Sequence, residues 1–214
     1  MINSIKYKYG ILAFGSLIDD PGEEIKELEI DRLDSVTPFK IEFARISSSR
    51  GKAPTLVPVK DEAKGRKVKS KIIVMNESTS LNELKSILWR RECHITDKTK
   101  GFKRPEKPTS KHVLIGELEN FYNVEKVIYT TFLPQKEYEN LDPEKLADFA
   151  LSSILSKAGT DKIDGVRYLL SARESGIETE YSERYIKSLL SKTDTSSLQE
   201  AIEKLDRQRE NQLI

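Results

Sequence analysis

The chain has 214 residues, with 36 lysines and arginines against 35 aspartates and glutamates. This balance offers no overall field to collect nucleic acid or anionic lipid, so we expect neither nucleic acid nor a membrane as a partner. Hydrophobic residues make up 37% of the chain and charged residues 33%, which predicts a folded protein with a highly charged surface. The length suits one sizeable core.

The first predicted element is the apolar run at residues 9–17, YGILAFGSL, which is typical of a buried strand ending in a glycine-serine turn. Residues 39–46 alternate with a period of two, and residues 55–59 and 69–75 are short apolar segments, so three further strands are predicted. Strands at short spacing without intervening helices indicate an antiparallel or mixed sheet, not repeated βαβ units.

Helical spacing begins within residues 76–92, where Ser78 or Ser80 can cap a helix that ends near Glu92. A polar excursion at residues 96–111 follows this helix. Further along the chain the pattern predicts two strands and four helices, at residues 112–118, 124–133, 142–155, 166–172, 181–190 and 196–210.

Cys93 is the only cysteine, which rules out an intramolecular disulfide. No apolar run approaches the length of a membrane span, and residues 1–6 lack the apolar core of a secretory signal. We therefore expect a reducing compartment, most simply the cytoplasm. His94 and His112 fall in no metal-ligand spacing, and no glycine-rich nucleotide motif is present, so we expect neither a metal nor a cofactor.

Two sequence features carry candidate chemistry, and each also has a plainer interpretation. The strand that ends in Gly15 and Ser16 can expose consecutive backbone N–H groups that bind a carboxylate or an oxyanion, or it can be an ordinary turn. Glu92 stands beside Trp89 and Cys93, where partial burial would favour an acid/base role. The plainer interpretation of Glu92 is a helix-end carboxylate paired with a neighbouring arginine or lysine.

The order of these pieces is more specific than each alone. The chain opens with GILAFGSLIDDPG, continues through the helix LNELKSILWRRE and ends this pattern with VIYTTFLPQKEYENLDPEKLADFA. In this order it resembles the gamma-glutamylcyclotransferase superfamily, and most closely the ChaC-type branch. The resemblance implies an α+β fold, a mixed, mostly antiparallel small barrel or curved sheet with flanking helices. We predict one such domain over residues 1–195, followed by a charged C-terminal helix over residues 196–214.

The resemblance also implies a site and a reaction. The loop that holds the substrate corresponds to Phe14, Gly15, Ser16 and Leu17. The catalytic acid/base corresponds to Glu92. The expected reaction is a cofactor-free cyclisation of a small gamma-glutamyl peptide or amine, glutathione among them, which releases 5-oxoproline and the free amine.

Three further expectations complete this interpretation. Tyr138 corresponds to a family tyrosine near the ligand. Phe14 departs from the family, which has a tyrosine in the loop, so a ligand-binding protein of the same fold without turnover is the alternative function. The apolar stripe within residues 196–210 packs on the domain or on a partner, which includes the option of a homo-oligomer.

Overall fold

The structure is a computed structural model that describes residues 6–60 and 64–211. The strands in these residues are β1 Tyr7–Ala13, β2 Glu29–Val36, β3 Ile41–Ser47, β4 Ala53–Pro58, β5 Lys69–Met75, β6 Leu114–Phe121 and β7 Val124–Thr131. The helices are α1 Glu23–Leu28, α2 Leu81–Glu92, α3 Pro143–Ile154, α4 Lys157–Thr160, α5 Gly165–Glu174, α6 Ser182–Thr193 and α7 Leu198–Asn211. The predicted α+β class is confirmed. No helix in the described residues combines the length and the apolar composition needed to cross a membrane.

The chain divides into two compact units. The sheet unit comprises residues 1–37 and 69–133, and the helical unit comprises residues 38–68 and 134–214. The predicted boundary between residues 195 and 196 stays a prediction. Residues 1–5, 61–63 and 212–214, which the predicted domain and tail include, lie outside the described residues.

The sheet unit contains a five-stranded sheet in the order β2-β5-β1-β7-β6. β1 pairs with β7 in parallel, and the other three strand pairs are antiparallel. The predicted mixed, mostly antiparallel sheet is therefore confirmed. The small barrel offered as one option is not, because among the described residues β2 and β6 remain open edges. The closer likeness to a gamma-glutamylcyclotransferase fold stays a prediction.

β1 is central because its second half is apolar on both faces. Ile11, Leu12 and Ala13 are fully buried. One face of the sheet packs with α1 and α2 around a common apolar core, as expected when an amphipathic helix covers a sheet. The fully buried members of this core are Ile11, Ala13, Ile25, Ile73, Met75, Leu84, Leu88 and Ile128. The core fixes the end of β1 and the axis of α2 within one body.

Both ends of α2 are fixed by local hydrogen bonds. At the N-terminus the Ser80 side chain accepts a hydrogen bond from the Glu83 amide, as predicted for one of the two candidate caps. At the C-terminus His94 has a φ of 54°, and the Ile95 amide donates to the Arg90 carbonyl at 2.9 Å. This arrangement is a Schellman motif, which ends the helix at a defined residue.

The helical unit combines the β3-β4 hairpin with helices α3 to α7. α3 contacts α5, α6 and β4, so it is the central helix of this unit. α7 packs on α5 and α6 through a stripe that is buried in the unit, formed by Leu198, Ala201, Ile202 and Leu205. Arg167 of α5 also pairs with Asp206 of α7. The apolar stripe of the predicted C-terminal helix is thus covered by the chain's own residues.

Candidate functional site

The loop after β1 is a tight 3₁₀ turn at Gly15–Leu17. Phe14 is extended, and Gly15 then has a φ of 67°, a left-handed conformation that glycine adopts without a side-chain penalty. The side chain of Leu17 is buried in the sheet-unit core, which anchors the turn. The first N–H groups of such a turn have no partner within it. Gly15 is buried and Ser16 is half-buried, and their amides are the candidate donors to an anionic ligand.

Glu92 is the last residue of α2, and its side chain is 18% exposed. Arg91 Nη1 lies 2.5 Å from Glu92 Oε1, which is a charge-assisted hydrogen bond. The ion pair foreseen by the plainer interpretation of Glu92 is therefore present. It leaves the second carboxylate oxygen, Oε2, with no hydrogen-bond partner among residues 6–60 and 64–211.

The same arginine joins Glu92 to the loop. Arg91 Nη2 donates to the carbonyl oxygen of Asp20 at 2.5 Å and lies 3.5 Å from Ser16 Oγ, a long contact for a hydrogen bond. One guanidinium therefore contacts both predicted parts of the site. The Arg91 guanidinium therefore lies between the Glu92 carboxylate and the Ser16 hydroxyl and contacts both of them.

Arg90, the neighbouring arginine, contacts a different set of residues from Arg91. Its side chain is 2% exposed, and it donates to Glu24 of α1, to Glu83 of α2 and to the Lys100 carbonyl. Hydrogen bonding to Glu24, and then to Glu83, holds the pKa of Arg90 above its usual value. Arg90 thus ties the last turn of α2 to α1 and to the segment that follows the helix.

Cys93 is half-buried next to Glu92. Burial raises the pKa of the Cys93 thiol, and the negative charge of Glu92 raises it further. A thiol in this state is a poor nucleophile at neutral pH. Its dependence on Glu92 also makes Cys93 a reporter of where the Glu92 carboxylate lies.

The remaining predicted residues divide between the two units. Phe14 and Leu17 belong to the sheet unit with Gly15, Ser16 and Glu92. Tyr138 belongs to the helical unit, in the 3₁₀ turn Lys136–Tyr138, where its ring contacts the Phe149 ring edge-on at 5.6 Å between centroids. Its contact with a substrate stays a prediction.

The helical unit contains a second unusual carboxyl, that of Glu42 on β3. Glu42 is 1% exposed and accepts hydrogen bonds from Thr179 Oγ1 at 2.5 Å, from the Phe43 amide at 2.9 Å and from the Tyr181 amide at 3.2 Å. Burial raises the pKa of Glu42, and the three hydrogen bonds oppose that rise in part. The carboxyl joins β3 to the segment before α6.

Sequence reasoning missed the side chain that connects the site. Arg91 was foreseen only as one of several basic partners for Glu92, because the sequence Arg90-Arg91-Glu92 does not reveal which arginine lies against the loop after β1. The signal lay in the turn upstream: Gly22 has a φ of 84°, and a Cβ there would lie 3.1 Å from Arg91 Cγ. A glycine at this position makes room for the arginine.

Comparisons with known proteins add no name to this site. No protein-family model matches the chain, and neither the curated proteins nor the solved structures give a significant match. Among the described residues no group of three or more His, Cys, Asp or Glu side chains is placed to hold a metal ion.

Proposed function

We propose that this protein is a cofactor-independent lyase of the gamma-glutamylcyclotransferase type, which cyclises a small gamma-glutamyl peptide or amine to 5-oxoproline. The observation that carries this proposal is the Arg91 guanidinium, which contacts Glu92 and the loop of Ser16 and Asp20 within one unit. The order of loop and glutamate along the chain, on which the family resemblance rests, supports the same conclusion.

The proposed reaction needs no water and no second substrate. The α-amino nitrogen of the substrate forms a bond to its own γ-carbonyl carbon, and the bond from that carbon to the leaving nitrogen breaks. Of the two protons that the α-ammonium gives up, one completes the amine and the other leaves it as an ammonium ion. Because both reacting groups belong to one molecule, the enzyme has mainly to hold the reactive conformation and move protons.

The residues of the site suit these two tasks. Arg91 pairs with one oxygen of Glu92, and the second oxygen can take a proton from the ammonium and return it to the leaving nitrogen. The amides of Gly15 and Ser16 can hold the α-carboxylate or stabilise the oxyanion that develops on the γ-carbonyl oxygen. The leaving amine sets the substrate class: any primary amine or amino acid in amide linkage fits the scheme.

The direct test is an assay of 5-oxoproline release from a panel that contains glutathione, gamma-glutamyl dipeptides and gamma-glutamyl alkylamines. α-Glutamyl dipeptides are the matched control, because their peptide bond lies at the wrong carbonyl for a five-membered lactam. Release from at least one gamma-glutamyl compound and from no α-glutamyl compound is the expected result. No release from any member of the panel would contradict the lyase.

A second candidate function is a ligand-binding protein without turnover, and Phe14 favours it. The family that the chain resembles has a tyrosine at this place, so the hydroxyl that could bond the substrate is missing. This candidate predicts that gamma-glutamyl compounds raise the melting temperature while no 5-oxoproline forms. The two measurements made on the same samples therefore separate the two functions.

A further inference from the structure

Arg91 makes an unusual set of contacts for a residue in the last turn of a helix. Its side chain is 16% exposed, and its two terminal nitrogens are directed to different groups, Nη1 to Glu92 and Nη2 to the Asp20 carbonyl and Ser16 Oγ. Only a planar guanidinium presents donors in such a fixed fork. A lysine could reach one of these groups at a time.

The surroundings hold this arginine in place. Gly22 lies against its aliphatic part, since a Cβ at Gly22 would lie 3.1 Å from Arg91 Cγ, which is closer than an ordinary contact. The neighbouring Arg90 fixes the helix turn through its ion pairs with Glu24 and Glu83. The guanidinium therefore extends from a helix turn held by ion pairs to the loop that contains Ser16 and Asp20.

We propose that Arg91 is the positioning residue of this site, which fixes the Glu92 carboxylate relative to the Gly15–Leu17 turn. The effect of Arg91 on catalysis rests on the proposed function. The contacts of Arg91 with Glu92 and with the loop do not depend on it. We treat Arg91 as a positioning residue and not as a substrate ligand, because both of its terminal nitrogens contact protein acceptors. Its effect reaches the reaction through Glu92 and the turn, whose separation decides whether the acid/base meets the reacting nitrogen.

The test compares Arg91→Lys with the wild type, and uses Arg173→Lys as the matched control because Arg173 is exposed on α5. Lysine keeps the charge but loses the fork. We expect kcat for the best gamma-glutamyl substrate to fall by roughly 100-fold, with a much smaller change in KM. Arg173→Lys should leave both constants unchanged. Wild-type kcat in Arg91→Lys would overturn the proposal.

A second readout does not depend on turnover. Cys93 is the only cysteine, and its pKa depends on the nearby Glu92 charge, so the pH midpoint of its alkylation by iodoacetamide reports the position of the carboxylate. Glu92→Gln removes that charge and should lower the midpoint. If Arg91 holds Glu92 in place, Arg91→Lys releases the carboxylate and moves the midpoint toward the Glu92→Gln value. An unchanged midpoint in folded Arg91→Lys protein would overturn the proposal.

Gly22→Ala disturbs the contact between Arg91 and Glu92 without replacing either charged residue. Alanine is strained at the φ of 84° found here, and its methyl group presses on Arg91 Cγ, so the midpoint of Cys93 alkylation should move in the same direction as in Arg91→Lys. If the wild type releases no 5-oxoproline, the proposed function and the catalytic consequence both fail. The alkylation midpoints then still decide whether Arg91 positions Glu92.

Discussion

Each unit contains a carboxyl that is largely shielded from solvent, and the two carboxyls are held in different ways. Glu42 in the helical unit is fully buried, and both of its oxygens accept hydrogen bonds. Glu92 in the sheet unit is 18% exposed, and its described hydrogen bond, from Arg91, reaches only one oxygen.

The difference between Glu42 and Glu92 shows that burial of a carboxyl does not by itself indicate a catalytic role. A carboxyl whose oxygens are all satisfied by the chain has no capacity left for a ligand, so its perturbed environment serves structure. A carboxyl at a helix end, paired on one side and open on the other, can still exchange a proton with a bound molecule. We therefore assign a structural role to Glu42 and base the proposed chemistry on Glu92.

The largest expected effect is that of Glu92→Gln. The amide keeps the size and a hydrogen-bond acceptor but cannot carry the proton, so 5-oxoproline release should fall by about 100- to 10,000-fold. Kinetic assays check this, and circular dichroism shows whether the fold is intact. Glu77→Gln, an exposed glutamate of the same unit, is the matched control and should keep full activity. Equal activity of Glu92→Gln and wild type would remove Glu92 from the role.

The corresponding change in the helical unit should affect stability. Glu42→Ala leaves the amides of Phe43 and Tyr181 without their acceptor, and it leaves the Thr179 hydroxyl with Ser182 Oγ as its remaining partner. Buried donors without a partner cost about 1–3 kcal/mol, so the free energy of unfolding should fall by at least that range. Denaturant titration measures the loss. A variant as stable as the wild type would show that Glu42 is not needed for the packing of this unit.

Gly15→Ala tests the turn of the candidate site with a smaller effect. Alanine disfavours the φ of 67° found at this position, so the variant should lose about 1 kcal/mol of stability. Gly101→Ala is the control, because a Cβ there would meet its nearest neighbour, Ser86 Oγ, at 3.6 Å, an ordinary contact distance. Thermal unfolding of the two variants compares them. Equal melting temperatures would show that the turn does not need a left-handed residue.

The smallest effect concerns the pH dependence of Glu42. Because its pKa is raised in the folded protein, its contribution to stability is fully present below its unfolded pKa of about 4.3 and is lost as the pH rises through the folded pKa. Glu42→Gln removes this titration. The wild type should therefore be more stable relative to Glu42→Gln at pH 4 than at pH 7. The opposite trend would mean that the three hydrogen bonds outweigh burial.

The elements whose apolar pattern is strong were predicted well from the sequence. The strand at residues 69–75 and the helix ending near Glu92 match β5 and α2, because each buries a clear face in the core. β2 at Glu29–Val36 was missed, since it is an edge strand whose side chains are mostly exposed and carry no alternation. A mixed sheet was predicted, but not that β1 and β7 form its parallel pair, because pairing direction leaves no periodic signal.

The turn and the glutamate of the candidate site were predicted from the sequence, but the arginine that contacts both was not. The turn at Gly15 and Ser16 follows from a buried strand that ends in glycine, and Glu92 follows from the end of a helical pattern. That Arg91 contacts both parts and Arg90 neither depends on the rotation of the last helical turn, which the core of α2 decides. Periodicity separates the directions of Arg90 and Arg91 on the helix, but it does not show which groups of α1 or of the loop lie opposite each of them.

The most direct test of the site is a crystal structure of the protein with the proposed product, 5-oxoproline, bound. The account predicts that the product carboxylate lies on the amides of Gly15 and Ser16. It also predicts that a Glu92 oxygen lies within hydrogen-bonding distance of the lactam nitrogen, with Arg91 still paired to the other oxygen. A product molecule bound away from the turn, or a Glu92 side chain that points away from the lactam, would contradict it.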